Sequence, residues 1–175
     1  VTPKDGETTV TKKVDDVNDS NTTQDKIEWH DSADHDIGDA IDFQLKAVIT
    51  ENYDEYDNYY LALHDTEEKG LTFDPASVKV YIDGQLITAG YELVQTTTDG
   101  CTFEVVFSDL KAIDNANDEF KVEGGTVITV EYEATLNGNA VIGQTGNVNK
   151  VRLEYSNNPN DEQGGEKGKT PWDNV

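Results

Sequence analysis

Apolar residues in this chain recur at every second position. Ile41, Phe43, Leu45, Ala47 and Ile49 form one such row, and Ile128, Val130, Tyr132, Ala134 and Leu136 form another. Side chains alternate between the two faces of a strand, so each row is the buried face of a β-strand whose other face meets water. Shorter rows run through Val10, Lys12 and Val14, through Leu61, Leu63 and Asp65, and through Asn149, Val151, Leu153 and Tyr155. Asp83-Gly84, Asp99-Gly100 and Asn137-Gly138 are hairpin or turn signals between such rows. About nine strands, with turns every eight to twelve residues or so, predict an all-β sandwich with Greek-key connections. One short helix is expected over Ser108 to Asn115, capped by Ser108 or Asp109.

Three residues do not belong in the rows that hold them. Lys12, Asp65 and Asn149 each occupy a core-facing position, where a polar group without partners costs several kcal/mol or so. Taken singly, Lys12 also fits an edge strand with its ammonium snorkelling to water. Asp65 also fits a strand end capping the segment from Thr66 to Lys69. Taken together, the three make a reaction. In a dry core the lysine loses its proton more readily and the aspartate holds one, because desolvation disfavours both charged forms. A neutral amine is a nucleophile, and a protonated carboxyl can polarise the side-chain carbonyl of Asn149. Attack of Lys12 on that carbonyl expels ammonia and leaves an amide cross-link between the first strand and a late one. The fold supplies the proximity, worth roughly 7–11 kcal/mol of the barrier.

Composition narrows the partners. Acidic residues outnumber basic ones 36 to 13, for a formal net charge of -23, which disfavours nucleic acid and anionic membrane surfaces. No apolar run is long enough for a membrane-spanning helix or a signal peptide, so the chain reads as intracellular or as a piece of a longer exported one. The single cysteine, Cys101, permits no internal disulfide and no zinc site built from several cysteines. No cofactor or metal is expected. Asp16, Asn18 and Ser20 have calcium-loop spacing but lack the glycine and the distal glutamate. His30 and His35, in the acidic loop expected from Asp15 to Asp36, lack a third ligand.

The chain resembles the isopeptide-forming domains of Gram-positive pilus subunits and collagen-adhesin-type surface proteins. The resemblance is carried by Thr9 to Val14, by Ile37 to Leu45, by His64-Asp65-Thr66 with Lys69 to Phe73, and by Gly146 to Asn149 with Tyr155 to Pro159. It implies an immunoglobulin-like sandwich, a Lys12–Asn149 isopeptide bond assisted by Asp65, and a place on the cell wall or pilus outside a Gram-positive bacterium. Val1-Thr2-Pro3-Lys4-Asp5 is similar to the motif whose lysine sortase joins to the next pilus subunit, which makes Lys4 the inter-subunit candidate. That motif usually has tyrosine where Thr2 stands and asparagine or histidine where Asp5 stands. The implied partners are neighbouring domains of the same chain and other pilus subunits.

These readings divide the chain into a leading linker (1–7), a cross-linked sandwich (8–160) and a tail towards a further strand or domain (161–175). The function expected is a structural stalk or backbone module. An alternative is an adhesin module that binds a host glycan or protein through an aromatic patch of Tyr53, Tyr56, Tyr59 and Tyr60. Catalysis on an external substrate is not expected, because nothing fixes two carboxylates across a cleft. Glu131 and Glu133, the acids nearest in sequence before Asn149, turn outward from the row of Val130 and Tyr132.

Overall fold

The computed structural model describes residues 9–15, 29–30, 37–97, 100–116, 121–139, 149–156 and 167–174, with only the backbone described at Asn149 and at a few element ends. Two antiparallel sheets face each other. The first contains β1 (Thr9–Asp15), β2 (Trp29–His30), β3 (Ala40–Val48), β5 (Leu71–Ile82), β6 (Gln85–Ile87) and β9 (Val127–Leu136) in the order β2-β1-β3-β9-β5-β6. The second contains β4 (Leu61–Glu67), β7 (Glu92–Val94), β8 (Phe103–Phe107), β10 (Asn149–Ser156) and β11 (Lys167–Lys169) in the order β11-β10-β4-β8-β7, with β12 (Asp173–Asn174) also on β10. The chain crosses between sheets from β3 to β4, from β4 to β5, from β6 to β7, from β8 to β9 and from β9 to β10. This is the Greek-key sandwich expected. The nine strands foreseen are all present, and three short ones join them.

The two longest rows pair with each other, with Phe43 opposite Tyr132, Leu45 opposite Val130 and Ala47 opposite Ile128. All six are buried. Leu71–Ile82 is one long strand, β5, with a register shift between Asp74 and Lys79. Pro75 lies in that shift, where a residue with no N–H breaks no ladder bond. The Ser77 hydroxyl fills the gap by accepting from Glu133 N–H and donating to Asp74 C=O. Asp83 and Gly84 both take positive φ, 47° and 81°, as a two-residue primed hairpin turn requires. The helix runs from Leu110 to Ala116, and Asp109 is its cap, accepting from Lys111 N–H at 3.0 Å.

Several expectations are corrected. Residues 167–174 are no tail: β11 and β12 both pair with β10. Trp172 stacks under Lys150 and Arg152, 4.7 and 4.6 Å from its ring, while Lys169 stands opposite Glu154. Gly168 lies so close to the Tyr155 ring that an added Cβ would come within 3.1 Å of it. Aromatic packing and cross-strand charge thus offset the ordering cost of a Gly- and Lys-rich stretch. The acidic loop expected after β1 contains β2, whose Trp29 and His30 pair with Asp15 and Val14. Tyr53, Tyr56 and Tyr59 form no surface patch. They are buried edge-to-face on one another, and only Tyr60 is partly exposed. The acids between them, Asp54, Glu55 and Asp57, take the solvent side instead. Lys4, Asp16, Asn18, Ser20, His35 and residues 157–166 lie outside the described residues, as does the His30 side chain.

The segment after the helix closes the sandwich by backbone contact. Gly125 N–H donates to Ile49 C=O and Ile49 N–H donates to Thr126 C=O, both at 2.9 Å. A Cβ at Gly124 would sit 2.8 Å from the Glu51 backbone, whereas one at Gly138 would meet nothing within 4 Å. Gly124→Ala is therefore expected to destabilise by about 1–3 kcal/mol and to lower the melting midpoint by about 2–4 °C for each kcal/mol. Gly138→Ala is expected to leave the midpoint unchanged in the same calorimetric scan.

Candidate functional site: a buried lysine–aspartate contact between the sheets

Val10 and Val14 flank Lys12 on the inner side of β1, and that alternation points the lysine into the sandwich. Its side chain is fully buried. The edge-strand alternative, with the ammonium in water, is thereby removed. On the facing sheet, β4 sends Leu61, Leu63 and Asp65 inward, and Asp65 is also fully buried. Asp65 does not end the strand as a cap, because β4 continues to Glu67. Lys12 Nζ forms an ion pair and hydrogen bond with Asp65 Oδ2 across the core.

Tyr132 completes the contact. Lys12 Nζ donates to its hydroxyl at 2.8 Å, and that hydroxyl donates to Asp65 Oδ2 at 3.0 Å. The rings of Phe43 and Tyr132 each stand 5.3 Å from Nζ, and Phe103 packs edge-on against Tyr132 at 5.0 Å. Phe73 stacks on Phe103 at 4.1 Å and joins the two sheets beside the site. The polar groups therefore sit within aromatic walls that exclude water.

That dryness governs protonation. Burial lowers the affinity of Lys12 for its proton, and the neighbouring Asp65 opposes the shift only in part. Burial raises the pKa of Asp65, against the opposing pull of Lys12 and the Tyr132 hydrogen bond. Both directions favour a neutral amine beside a protonated acid, the less costly form of a pair without solvent.

Glu67, which sequence periodicity did not single out, is a second carboxyl in the same region. Desolvation, with the nearby Asp65 charge, pushes its pKa up to about 8. Among the described residues neither of its carboxylate oxygens has a hydrogen-bond partner, nor does Asp65 Oδ1. The only sequence signal was an acid two positions beyond Asp65 in the same strand. Glu131 and Glu133 are half-buried on the face opposite Val130 and Tyr132, as expected, and Glu131 accepts from Gln44 Nε2 at 3.2 Å.

Asn149 opens β10. Its backbone stands opposite Glu67, while Val151 stands opposite Asp65. Asn149 is thus a diagonal neighbour of Asp65 in the register, and β1 packs against β10. The Asn149 side chain lies outside the description. Asp173, in β12, also reaches this junction: its Oδ2 accepts from Lys12 N–H at 2.6 Å. The C-terminal strands therefore touch both β1 and β10.

The comparisons with known proteins agree with this architecture. The family model for the Gram-positive pilin backbone subunit 2, Cna-B-like domain, matches residues 37–159. The trypsin-resistant surface T6 protein of Streptococcus pyogenes serotype M6 is 26% identical over 161 residues, covering 86% of this chain and 25% of that protein. The chain thus spans about a quarter of the length of the curated relative it matches. The solved T6 backbone pilin superposes with a TM-score of 0.54 at 25% identity, over 87% of this chain and 30% of that one. The pilus backbone of Streptococcus pneumoniae gives 0.61 at 23% identity, over 88% and 54%. A 35 kDa C-terminal fragment of the major pilin of Streptococcus agalactiae gives 0.66 at 19%, over 97% and 56%; these two likenesses speak for the fold alone. With the family model covering well over half of its length, this chain belongs to the Gram-positive pilin backbone family, as a Cna-B-like domain.

Proposed function

We propose that this chain is a structural module of a surface pilus, outside a Gram-positive cell, held by an autocatalytic isopeptide bond between Lys12 and Asn149. The observation that carries the reading is the fully buried Lys12 in contact with Asp65. An ion pair in this position is a poor stabiliser, since burying each ion costs several kcal/mol or so after relaxation. An amide removes both the lysine charge and the need to pair it.

The bond forms without any external reagent. The Nζ lone pair adds to the Asn149 Cγ, and the Asp65 proton passes to the carbonyl oxygen. The tetrahedral adduct returns a proton through Asp65 to the departing nitrogen. The Nζ–Cγ bond forms, the Cγ–Nδ2 bond breaks, and ammonia leaves; no atom changes oxidation state. Tyr132 holds Asp65 Oδ2 and Nζ in one hydrogen-bonded cluster, so its role is to position both groups. The reaction occurs once per chain and is not turnover.

In this reading residues 1–7 join a preceding domain, and Lys4 is the lysine that sortase links to the next subunit. The cross-link spans from β1 to β10 and closes most of the domain. The loop-entropy relation for cross-links gives about 4–5 kcal/mol for such a closure. The adhesin alternative finds no support in the tyrosines, since three of the four are core residues.

Intact-mass measurement of the folded chain is expected to give one ammonia less than the sequence mass, and a tryptic digest should contain a branched peptide joining Lys12 to Asn149. Asp65→Ala should fold and keep the full sequence mass. A variant that still loses ammonia would transfer the acid role to Glu67. Under force applied at the termini, the wild-type chain should extend only by the residues outside the cross-link, whereas Lys12→Ala should extend fully.

A pH dependence follows from Glu67. Its folded-state pKa of about 8 lies above its ordinary value of 4.5, so the folded chain holds a proton that the unfolded chain releases. The stabilisation is complete below about pH 4.5 and is lost as pH rises towards 8. Denaturant titration should show this decline between pH 5 and 8, and Glu67→Gln should flatten it.

A further inference from the structure

Strand β4 buries side chains on both faces. Leu61, Leu63 and Asp65 enter the sandwich, while His64, on the other side, retains only 4% of its exposure. Its imidazole lies between groups from two neighbouring strands and a turn. His64 Nδ1 is 2.9 Å from Glu104 Oε1, on β8, and 3.8 Å from Cys101 Sγ, just ahead of that strand. Cys101 Sγ is in turn 3.6 Å from Glu104 Oε1. The other ring nitrogen, Nε2, is 3.3 Å from Glu154 Oε2 on β10.

We propose that His64 Nδ1, Cys101 Sγ and Glu104 Oε1 form a zinc-binding site, with Glu154 orienting the histidine through Nε2. The three donor atoms all lie within 4.8 Å of one another. Zinc bonds of about 2.0–2.3 Å in a tetrahedron place such donors about 3.3–3.6 Å apart. The three separations therefore need to adjust by only a few tenths of an ångström or so to seat the ion. Imidazole, thiolate and carboxylate together suit zinc better than magnesium or calcium, which take oxygen donors alone.

The second carboxylate strengthens the assignment. A metal-bound histidine characteristically gives its other N–H to a carboxylate, which fixes the tautomer and the ring plane. Glu154 Oε2 lies 3.3 Å from Nε2, close enough to take that role once the ring turns to align its N–H. An imidazolium shared by two glutamates would explain Glu104 and Glu154 but would make no use of the thiol. Charge also favours the metal: thiolate and carboxylate neutralise a divalent cation in a chain of net charge -23. Binding releases the Cys101 proton to solvent, together with the second imidazole proton where His64 carries one. The Glu104 and Glu154 side chains keep 13% and 21% of their exposure, leaving a route to the site and a fourth coordination position for water.

The test is titration of the reduced, chelator-treated 175-residue chain with cobalt(II), then zinc. The expected result is one cobalt per chain with a thiolate-to-cobalt charge-transfer band, bleached by one equivalent of zinc. Cys101→Ser should abolish the band and weaken zinc binding at least tenfold or so, and Glu154→Gln should weaken it by about 10–100-fold while keeping the band. Absence of the band in the wild-type chain overturns the proposal. So does zinc binding of equal strength in Cys101→Ser, which would assign the metal to surface carboxylates. Circular dichroism confirms that each variant is folded; if Cys101→Ser is not, the wild-type band and its bleaching decide alone.

Discussion

The contact between Lys12 and Asp65 sets the terms for the rest of this molecule. It joins the two sheets through their dry interior, at a place where neither charge can be solvated. Everything around it serves to make that tolerable. Tyr132 supplies a hydroxyl that bonds to both groups, and Phe43, Phe73 and Phe103 pack the space that water would otherwise enter. The same walls that make the pair costly as ions favour the neutral amine and acid, so the burial that burdens the fold also prepares a nucleophile.

The strand neighbours of this pair are arranged to hold it. β4 lies between β8 and β10, so Asp65 stands between Phe103 on one side and Val151 on the other. β1 is paired with β3 along six of its residues, with Lys12 opposite Leu45. Its other edge pairs with β2 at Val14 and Asp15 and meets β12 through the Asp173 carboxylate on Lys12 N–H. The late return of residues 167–174 to β10 thus buttresses the junction where the first strand and the last long strand approach each other.

The outward face of the second sheet has a different chemistry. There a buried imidazole and thiol meet two partly exposed carboxylates, drawn from β4, β8, β10 and the turn before β8. Ordinary solvated faces of antiparallel sheets do not bury a histidine to this degree. One strand, β4, therefore carries two polar clusters, one on each face, separated only by the thickness of its backbone.

Much of the fold and part of the site were legible in the residue order. Period-two alternation assigned the faces of β3 and β9, and it identified Lys12 and Asp65 as polar intruders on buried rows. The signals at Asp83-Gly84 and Asp109 likewise had local causes, a positive φ requirement and an unpaired helix N–H. Other features had no local cause. The Glu67 carboxylate oxygens are shielded from solvent although the residue is only partly buried, with β10 alongside and Lys12 near, and nothing within its own strand separates it from a wet strand-end acid. Tyr53, Tyr56 and Tyr59 turned inward because each found aromatic partners in the others, a choice that their spacing leaves open. Residues 167–174 became strand through Trp172 and Tyr155, which no propensity of glycine and lysine anticipates. His64, Cys101, Glu104 and Glu154 come from three strands and a turn. Alternation determines which way each side chain points from its own strand; which strands lie side by side is decided by long-range pairing, and that pairing alone brought these four groups together.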